Sequence, residues 1–204
     1  MASVLDILIS IIFGGALIVI LLTATGLLND NVATTYGDRL VQESLIAISQ
    51  QVEGDFRNMG FAVPDSQLVV LIAESTRVRF RIDLPPFGSI DTLTYSLGDP
   101  SELASTPNEQ DRYLYRERGN GPREVVGIVT NFGLGYINSQ QARLYFPVSD
   151  SLLRTIRQVE INLEVQNPSA PYRSRDMIGE GERDALYSSI AWKQTRLAME
   201  NLDR

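Results

Sequence analysis

Residues 7–28 read ILISIIFGGALIVILLTATGLL, a run without a charged side chain that directly follows Asp6. About 20 apolar residues in an α-helix rise roughly 30 Å, which is the hydrocarbon thickness of a bilayer. Core helices of soluble proteins seldom carry so long an uncharged run. The run therefore predicts a helix over residues 1–29 that lies in lipid or against other apolar helices in an assembly.

A cleaved signal peptide is the alternative interpretation of this run. Signal peptides carry a basic segment in front of a shorter apolar stretch, followed by a small-residue cleavage site. Here the first basic residue is Arg39, and Thr23-Ala24-Thr25-Gly26 is only a poor match to a cleavage site. We therefore expect a retained N-terminal helix.

Composition excludes several classes of function. The 204 residues carry a net charge of −7, whereas nucleic-acid binding needs a basic footprint. The sequence has no Cys and no His, so zinc sites built on these residues and Ser–His or Cys–His catalytic pairs are excluded. We expect a protein without enzymatic activity, cofactor or nucleic-acid partner.

A second periodic pattern follows the apolar run. Apolar residues recur at steps of three to five over residues 30–60, which predicts an amphipathic helix that Gly60 ends. If residues 29–31 stay helical, one rod runs from about Ser3 to Met59; the alternative is two helices with a bend at Gly26. The apolar stripe consists of Val32, Tyr36, Leu40, Leu45, Ile48, Val52, Phe56 and Met59, and we expect Leu45, Ile48, Val52 and Phe56 to pack on a sheet.

Residues 61–204 indicate a β domain. Strand-like runs follow one another without intervening helices, which favours an antiparallel, meandering sheet and an α+β fold. Gly119-Asn120-Gly121 between two such runs predicts a hairpin. The predicted strands are Leu68–Ile72, Val78–Ile82, Leu93–Leu97, Tyr113–Arg116, Val125–Val129, Leu144–Phe146, Val159–Val165 and a last strand (or helix) over Ile190–Met199.

Three patterns are candidates for chemistry within this domain. Arg77, Arg79 and Arg81 alternate with apolar residues, so they either contact an anionic partner or form the solvated face of a sheet. Gly133-Leu134-Gly135 lacks the continuation of a nucleotide-binding loop and is interpreted as strand glycines. Four carboxylates on a Gly-containing loop form a weak calcium candidate, although their spacing is not that of an EF-hand: Asp176, Glu180, Glu182 and Asp184.

Several phrases in a fixed order resemble the type IV pilin and pseudopilin superfamily. The likeness is strongest to the large minor pilins of pilus assembly and the J-type minor pseudopilins of type II secretion. The phrase Asp55-Phe56-Arg57-Asn58-Met59-Gly60-Phe61 stands where those proteins end the amphipathic helix. Three strand phrases follow in the family's order: Ile90–Leu97, Tyr113–Arg116 and Val126–Tyr136.

The resemblance implies a structural subunit rather than an enzyme. Its long helix would anchor the chain as a single pass in the cell inner membrane, with the β domain on the periplasmic or extracellular side. In an extracellular filament or tip complex, the same helix would contact other pilin-like or membrane-complex subunits. The candidate assembly residues are Asp6, Gly14 and Gly15. Asp6 stands within one position of the glutamate that the family carries near its mature N-terminus, and it could pair with a neighbour's α-amino group.

Two other interpretations of the whole chain stay open. One is a single-pass accessory subunit that never leaves its membrane complex. The other is a membrane-tethered module that binds a small ligand or ion. The sequence departs from the pilin pattern at the start, where Met1-Ala2-Ser3-Val4-Leu5 stands in place of a short basic leader.

Overall fold

A single helix dominates the architecture. The computed structural model describes residues 2–85, 88–168, 190–198 and 201. Helix α1 spans Ala2–Arg57 without interruption, so the chain stays helical through Gly26 and through the polar residues 29–31. The alternative of two helices with a bend at Gly26 is wrong, and the single helix packed on antiparallel strands confirms the predicted α+β fold.

The strands form two antiparallel sheets rather than the one sheet that the sequence predicted. The first has the order β1-β2-β3-β4-β5 and the second the order β6-β7-β8. Their bounds are β1 Val70–Ala73, β2 Arg77–Asp83, β3 Ile90–Leu97, β4 Arg112–Arg118, β5 Arg123–Val129, β6 Asn131–Asn138, β7 Ile156–Gln166 and β8 Ile190–Ala198. A short 3₁₀ turn, Pro100–Leu103, and a one-turn helix α2, Asp150–Leu153, lie in the connections.

The division into two sheets occurs at Thr130. This residue alone separates β5 from β6, and a hairpin turn needs at least two residues, so β6 cannot fold back on β5. The chain instead continues into the second sheet, where β6 pairs with β7 along its whole length. The Thr130 backbone N–H donates to the Glu164 carbonyl of β7 at 2.9 Å, which fixes the point of transfer.

Most of the predicted strands are present. The hairpin at Gly119-Asn120-Gly121 joins β4 to β5, and the last segment is the strand β8. Gly133 and Gly135 lie within β6, as strand glycines. The prediction of a strand over Leu144–Phe146 is wrong: Tyr145 is 88% exposed, and Pro147 brings no N–H to extend a ladder beyond Phe146.

Helix α1 packs on β8, β7 and β5, and the core lies between the helix and the two sheets. Among the side chains whose burial the structure describes, burial of the helix begins near Gly37 and Val41, because the β domain covers none of the earlier ones. The first positions of the predicted stripe are therefore exposed: Val32, Tyr36 and Leu40. Leu45, Ile48, Val52 and Phe56 lie in the core.

A buried polar cluster connects the two sheets. The Asn108 side-chain amide donates to Gln166 at 3.5 Å, and the Gln166 amide donates to the Glu164 carboxylate at 3.0 Å. The Thr130 hydroxyl donates to the same carboxylate at 3.1 Å. Asp111 is buried at the end of the Asn108 loop, and burial raises its pKa. The contacts among Asn108, Gln166, Glu164 and Thr130 supply hydrogen bonds to polar groups that would otherwise be costly to remove from water.

Candidate functional site

The N-terminal half of α1 is the most unusual surface of the molecule. The segment Asp6–Leu28 is 23 residues long, is apolar enough to cross a membrane by length and composition, and has no buried residue. Among its large apolar side chains, Phe13 is 72% exposed and Leu22 68%. A surface this extensive and apolar marks a lipid or protein contact, since monomeric soluble proteins rarely expose patches above a few hundred Å².

The hydroxyl-bearing residues inside this segment make their hydrogen bonds within the helix. The hydroxyls of Ser10, Thr23 and Thr25 donate to the carbonyls of Asp6, Val19 and Leu21, four residues earlier in each case, at 2.7–2.9 Å. A hydroxyl that bonds to its own helix leaves no unpaired donor facing hydrocarbon. The segment is therefore suited to a lipid or to an apolar helical bundle in spite of its Ser and Thr content.

The candidate assembly residues lie open on this surface. A Cβ atom added at Gly14 or Gly15 would meet nothing within 4 Å, so the backbone is bare on that part of the helix. Small residues of this kind allow helix backbones to approach closely in an apolar medium. Asp6 is exposed, and no cationic group among the described residues lies within 4.0 Å of its carboxylate.

The C-terminal half of α1 is joined to the first sheet by a charged contact. The Asp55 carboxylate accepts hydrogen bonds from Arg116 Nε of β4 at 2.7 Å and from the Tyr95 hydroxyl of β3 at 2.6 Å. The side chains of Asp55 and Arg116 are only 16% and 17% exposed. Burial raises the pKa of Tyr95, and the Asp55 charge adds to that rise. Burial by itself would lower the pKa of Arg116, but the bond to Asp55 outweighs it and the net shift is upward.

These three residues belong to three of the phrases on which the family resemblance rests. The sequence phrases contain Asp55, Tyr95 and Arg116, but the sequence alone assigned no role to these residues. A signal was present, because Asp55 and Arg116 are charged residues at positions whose neighbours at helix or strand spacing, Val52 and Leu114, are core residues. Pattern alone could not show that they meet, because 61 residues separate them in the chain.

Glu53 makes the equivalent link to the second sheet. Its carboxylate accepts a hydrogen bond from the Thr195 hydroxyl of β8 at 3.0 Å and forms an ion pair with Lys193. Burial raises the pKa of Glu53, but the bonds from Lys193 and Thr195 outweigh this effect, so the net pKa is lowered. A lowered carboxylate pKa stabilises the folded state above its unfolded pKa, and this contribution is lost as the pH falls through the folded value.

Removal of the Asp55 carboxylate tests the link between the helix and the first sheet. Asp55→Ala leaves Arg116 and the Tyr95 hydroxyl without their partner, and we expect a cost of about 2 kcal/mol in the free energy of unfolding, somewhat below the value for a fully buried pair. The measurement is thermal unfolding of the full chain in mild detergent. Asp55→Asn, which keeps an acceptor for Tyr95, is the matched control and should cost less. Equal stability of Asp55→Ala and the wild type would contradict the structural role.

The predicted calcium site stays a prediction. The calcium candidate Asp176, Glu180, Glu182 and Asp184 lies outside the described residues. Within residues 2–85, 88–168, 190–198 and 201, no group of three or more His, Cys, Asp or Glu side chains is placed to hold a metal ion. A groove of about 360 Å³ between α1 and β5 is lined mainly by apolar side chains, among them Leu40, Val126 and Val165.

No protein-family model matches the sequence, and no curated protein matches it. The chain is similar in structure to the type IV-like pilin TTHA1219 from Thermus thermophilus, with a TM-score of 0.47 and 12% sequence identity. The similarity covers 80% of this chain and 97% of that protein.

Proposed function

We propose that this chain is a non-enzymatic structural subunit, similar to a minor pilin or pseudopilin, that assembles through its N-terminal helix. The observation that carries the proposal is the segment Asp6–Leu28, which is apolar, uncovered and continuous with a helix fixed in a folded β domain. A helix of this kind is inserted in a membrane before assembly and lies in an apolar bundle afterwards. The β domain then faces outward, on the periplasmic or extracellular side of the cell inner membrane.

The attachment of helix α1 to the β domain supports this role. Helix α1 continues past Leu28 for about 40 Å to Phe56, at 1.5 Å per residue, and its last turns are held by Asp55 and Glu53 to both sheets. A force applied along the apolar half is therefore transmitted to the β domain. A flexible tether would be sufficient for a module that only binds a ligand at the membrane.

Fractionation of cells separates assembly from a permanent place in a membrane complex. We expect mechanical shearing without detergent to release the chain in a sedimentable filament fraction together with other pilin-like subunits. Recovery in the membrane fraction alone, with none in the sheared filaments, would contradict the proposal. It would favour the accessory subunit of a membrane complex.

Asp6 provides a second test. A carboxylate at the head of an apolar helix is tolerated at a membrane surface but is costly inside an apolar bundle unless a cation meets it. Among the side chains of the given sequence the first basic one is Arg39, and we propose that a neighbouring subunit supplies the cation, for example through an α-amino group. We therefore expect Asp6→Ala to retain membrane insertion and folding but to reduce co-purification of partner subunits by about fivefold, the equivalent of about 1 kcal/mol.

Asp6→Glu is the matched variant for this test, because it keeps the charge and should keep the partners. Carbonate-resistant membrane binding and the unfolding temperature control for insertion and folding. Equal recovery of partners with Asp6→Ala and the wild type would show that the carboxylate has no role in assembly.

A further inference from the structure

The outer face of β2 carries a row of three arginines. Arg77, Arg79 and Arg81 alternate with the buried residues Val78, Phe80 and Ile82, so their side chains share the face opposite the core. Within the part of the chain that the structure describes, no carboxylate lies within 4.0 Å of these guanidinium groups. Other basic side chains do have such partners, among them Arg39, Arg57, Arg116, Arg118, Arg143, Lys193 and Arg196.

The next strand places hydroxyl groups beside the arginines. The register of β2 with β3 sets Arg77 opposite Ser96, Arg79 opposite Thr94, and Arg81 opposite Thr92. Arg79 donates one hydrogen bond to the Thr92 hydroxyl at 3.1 Å, while its Nε is buried without an acceptor. A buried guanidinium N–H without an acceptor is costly. Arg81 donates one hydrogen bond to the Leu68 carbonyl at 2.5 Å. Each guanidinium group carries five N–H donors, so among the described residues the arginine row still has more donors than acceptors.

The charge of this face is opposite to that of the chain. The whole chain has a net charge of −7, yet β2 presents a row of positive groups. Farther across the same face, Arg123 lies over the Tyr115 ring at 5.6 Å, and Glu117 pairs in register with Arg123. In the part of the chain that the structure describes, two carboxylates reach this face: Glu117 of β4, and Glu102, which accepts a hydrogen bond from the Tyr115 hydroxyl at 2.8 Å. The face keeps a positive surplus, because these two are fewer than its four arginines, Arg77, Arg79, Arg81 and Arg123. A surface of this kind attracts an anionic partner and fixes its register.

The distance from the apolar segment excludes the lipid headgroups of the membrane that this segment would cross. The β2 row adjoins Phe80, whose ring centroid is 5.3 Å from that of Phe56 at the far end of α1. Phe56 lies about 40 Å along the helix from Leu28. An anionic partner for this row is therefore found in the aqueous phase.

We propose that the outer face of β2 binds an extended acidic segment of a partner protein. Residues i and i+2 of a strand are about 6.6–6.8 Å apart and lie on the same face. An extended segment with a carboxylate at every second residue has the same spacing, so it can lie along β2 and give each arginine one carboxylate. Arginine binds carboxylates bidentately, and Ser96 and Thr92 can donate further hydrogen bonds to that segment. The exclusion of lipid headgroups rests on the proposed membrane helix, whereas the match of the arginine row to an acidic segment does not.

The test measures peptide binding to the full chain in nanodiscs of neutral phosphatidylcholine. The probe is a fluorescent 12-residue peptide in which Glu and Thr alternate, and its anisotropy reports binding. We expect salt-sensitive binding by the wild type. The combined variant Arg77→Gln, Arg79→Gln and Arg81→Gln should weaken binding about tenfold, because three ion pairs on a partly exposed face are lost.

A matched charge change and a matched peptide serve as controls. Arg154→Gln removes one exposed arginine that lies outside the first sheet, next to α2, and should change binding less than about twofold. Arg77→Gln alone, at the exposed end of the row, should weaken binding about twofold to threefold, and it remains informative if the combined variant unfolds. A peptide with the same composition but with its Glu residues consecutive should bind more weakly than the alternating one.

Several results would overturn this inference. One is equal binding of the alternating peptide by the wild type and the combined variant of Arg77, Arg79 and Arg81. Others are equal binding of the two peptides, or displacement of the alternating peptide by inorganic phosphate at the same concentration, which would indicate a site for any anion. Self-association of the wild type that the combined variant abolishes, measured by sedimentation velocity, would identify a second copy of this chain as the occupant.

Discussion

Removal of residues 1–29 is expected to move the chain completely from the membrane fraction to the soluble fraction, with the β domain still folded. The physical reason is that the uncovered apolar surface lies within this segment, whereas the buried part of α1 begins only near Gly37 and Val41. The remaining helix keeps its core contacts with β5, β7 and β8. The measurements are carbonate extraction of membranes, followed by circular dichroism and thermal unfolding of the soluble product.

A single substitution within the intact chain is the control for this deletion. Leu17 lies at the middle of the segment Asp6–Leu28, where an arginine costs about 2.5–3.5 kcal/mol in membrane insertion. Leu17→Arg should therefore reduce insertion without any change in the β domain, which it does not contact. A truncated chain that stays in the carbonate-washed pellet would show that a second membrane contact exists, and a truncated chain that unfolds would show that the segment contributes to the fold.

The helix was predictable because its signals are local. A charge-free run indicates the first half, and apolar spacing of three to five residues indicates the second half. The structure adds where burial begins, and this could not be predicted. Val32 and Tyr36 have the same spacing as Val52 and Phe56, but only the latter pair is covered by strands that lie far away in the sequence.

The β domain was predictable strand by strand but not as an arrangement. Alternation in β2 and the Gly119-Asn120-Gly121 turn are local signals, and they indicated the correct elements. The division into two sheets depends on the pairing of β6 with β7, and sequence pattern does not specify which strands pair. The predicted strand over Leu144–Phe146 illustrates the opposite error, since apolar residues were given more weight than the proline that follows them.

The candidate site likewise has a part that could be predicted from the sequence and a part that could not. The apolar segment with Asp6, Gly14 and Gly15 is a local feature of the sequence. The structure shows it as an uncovered helix, as the sequence suggested. Their role in assembly and the proposed domain boundaries stay predictions. The contact of Asp55 with Tyr95 and Arg116 joins three elements, and only the fold brings them together.

The second large effect is expected at the opposite end of α1. Phe56 is fully buried. Its ring centroid lies 5.3 Å from that of Phe80 on β2 and 5.5 Å from that of Tyr95 on β3. Phe56→Ala removes these contacts and leaves a cavity where helix and sheet meet. A buried Phe→Ala change typically costs about 3–5 kcal/mol, which corresponds to a fall of about 10 °C or more in the unfolding temperature of a domain of this size.

Phe61 allows the same substitution to be made at a position that is not core. It lies five residues later, just after the helix, and is 46% exposed. Phe61→Ala removes the same atoms from a partly hydrated site, so we expect a cost below about 1 kcal/mol. Thermal unfolding of both variants in the full chain gives the comparison. If Phe56→Ala costs no more than Phe61→Ala, the helix is not fixed to the β domain at this point, and a force on its apolar half would not reach the sheets.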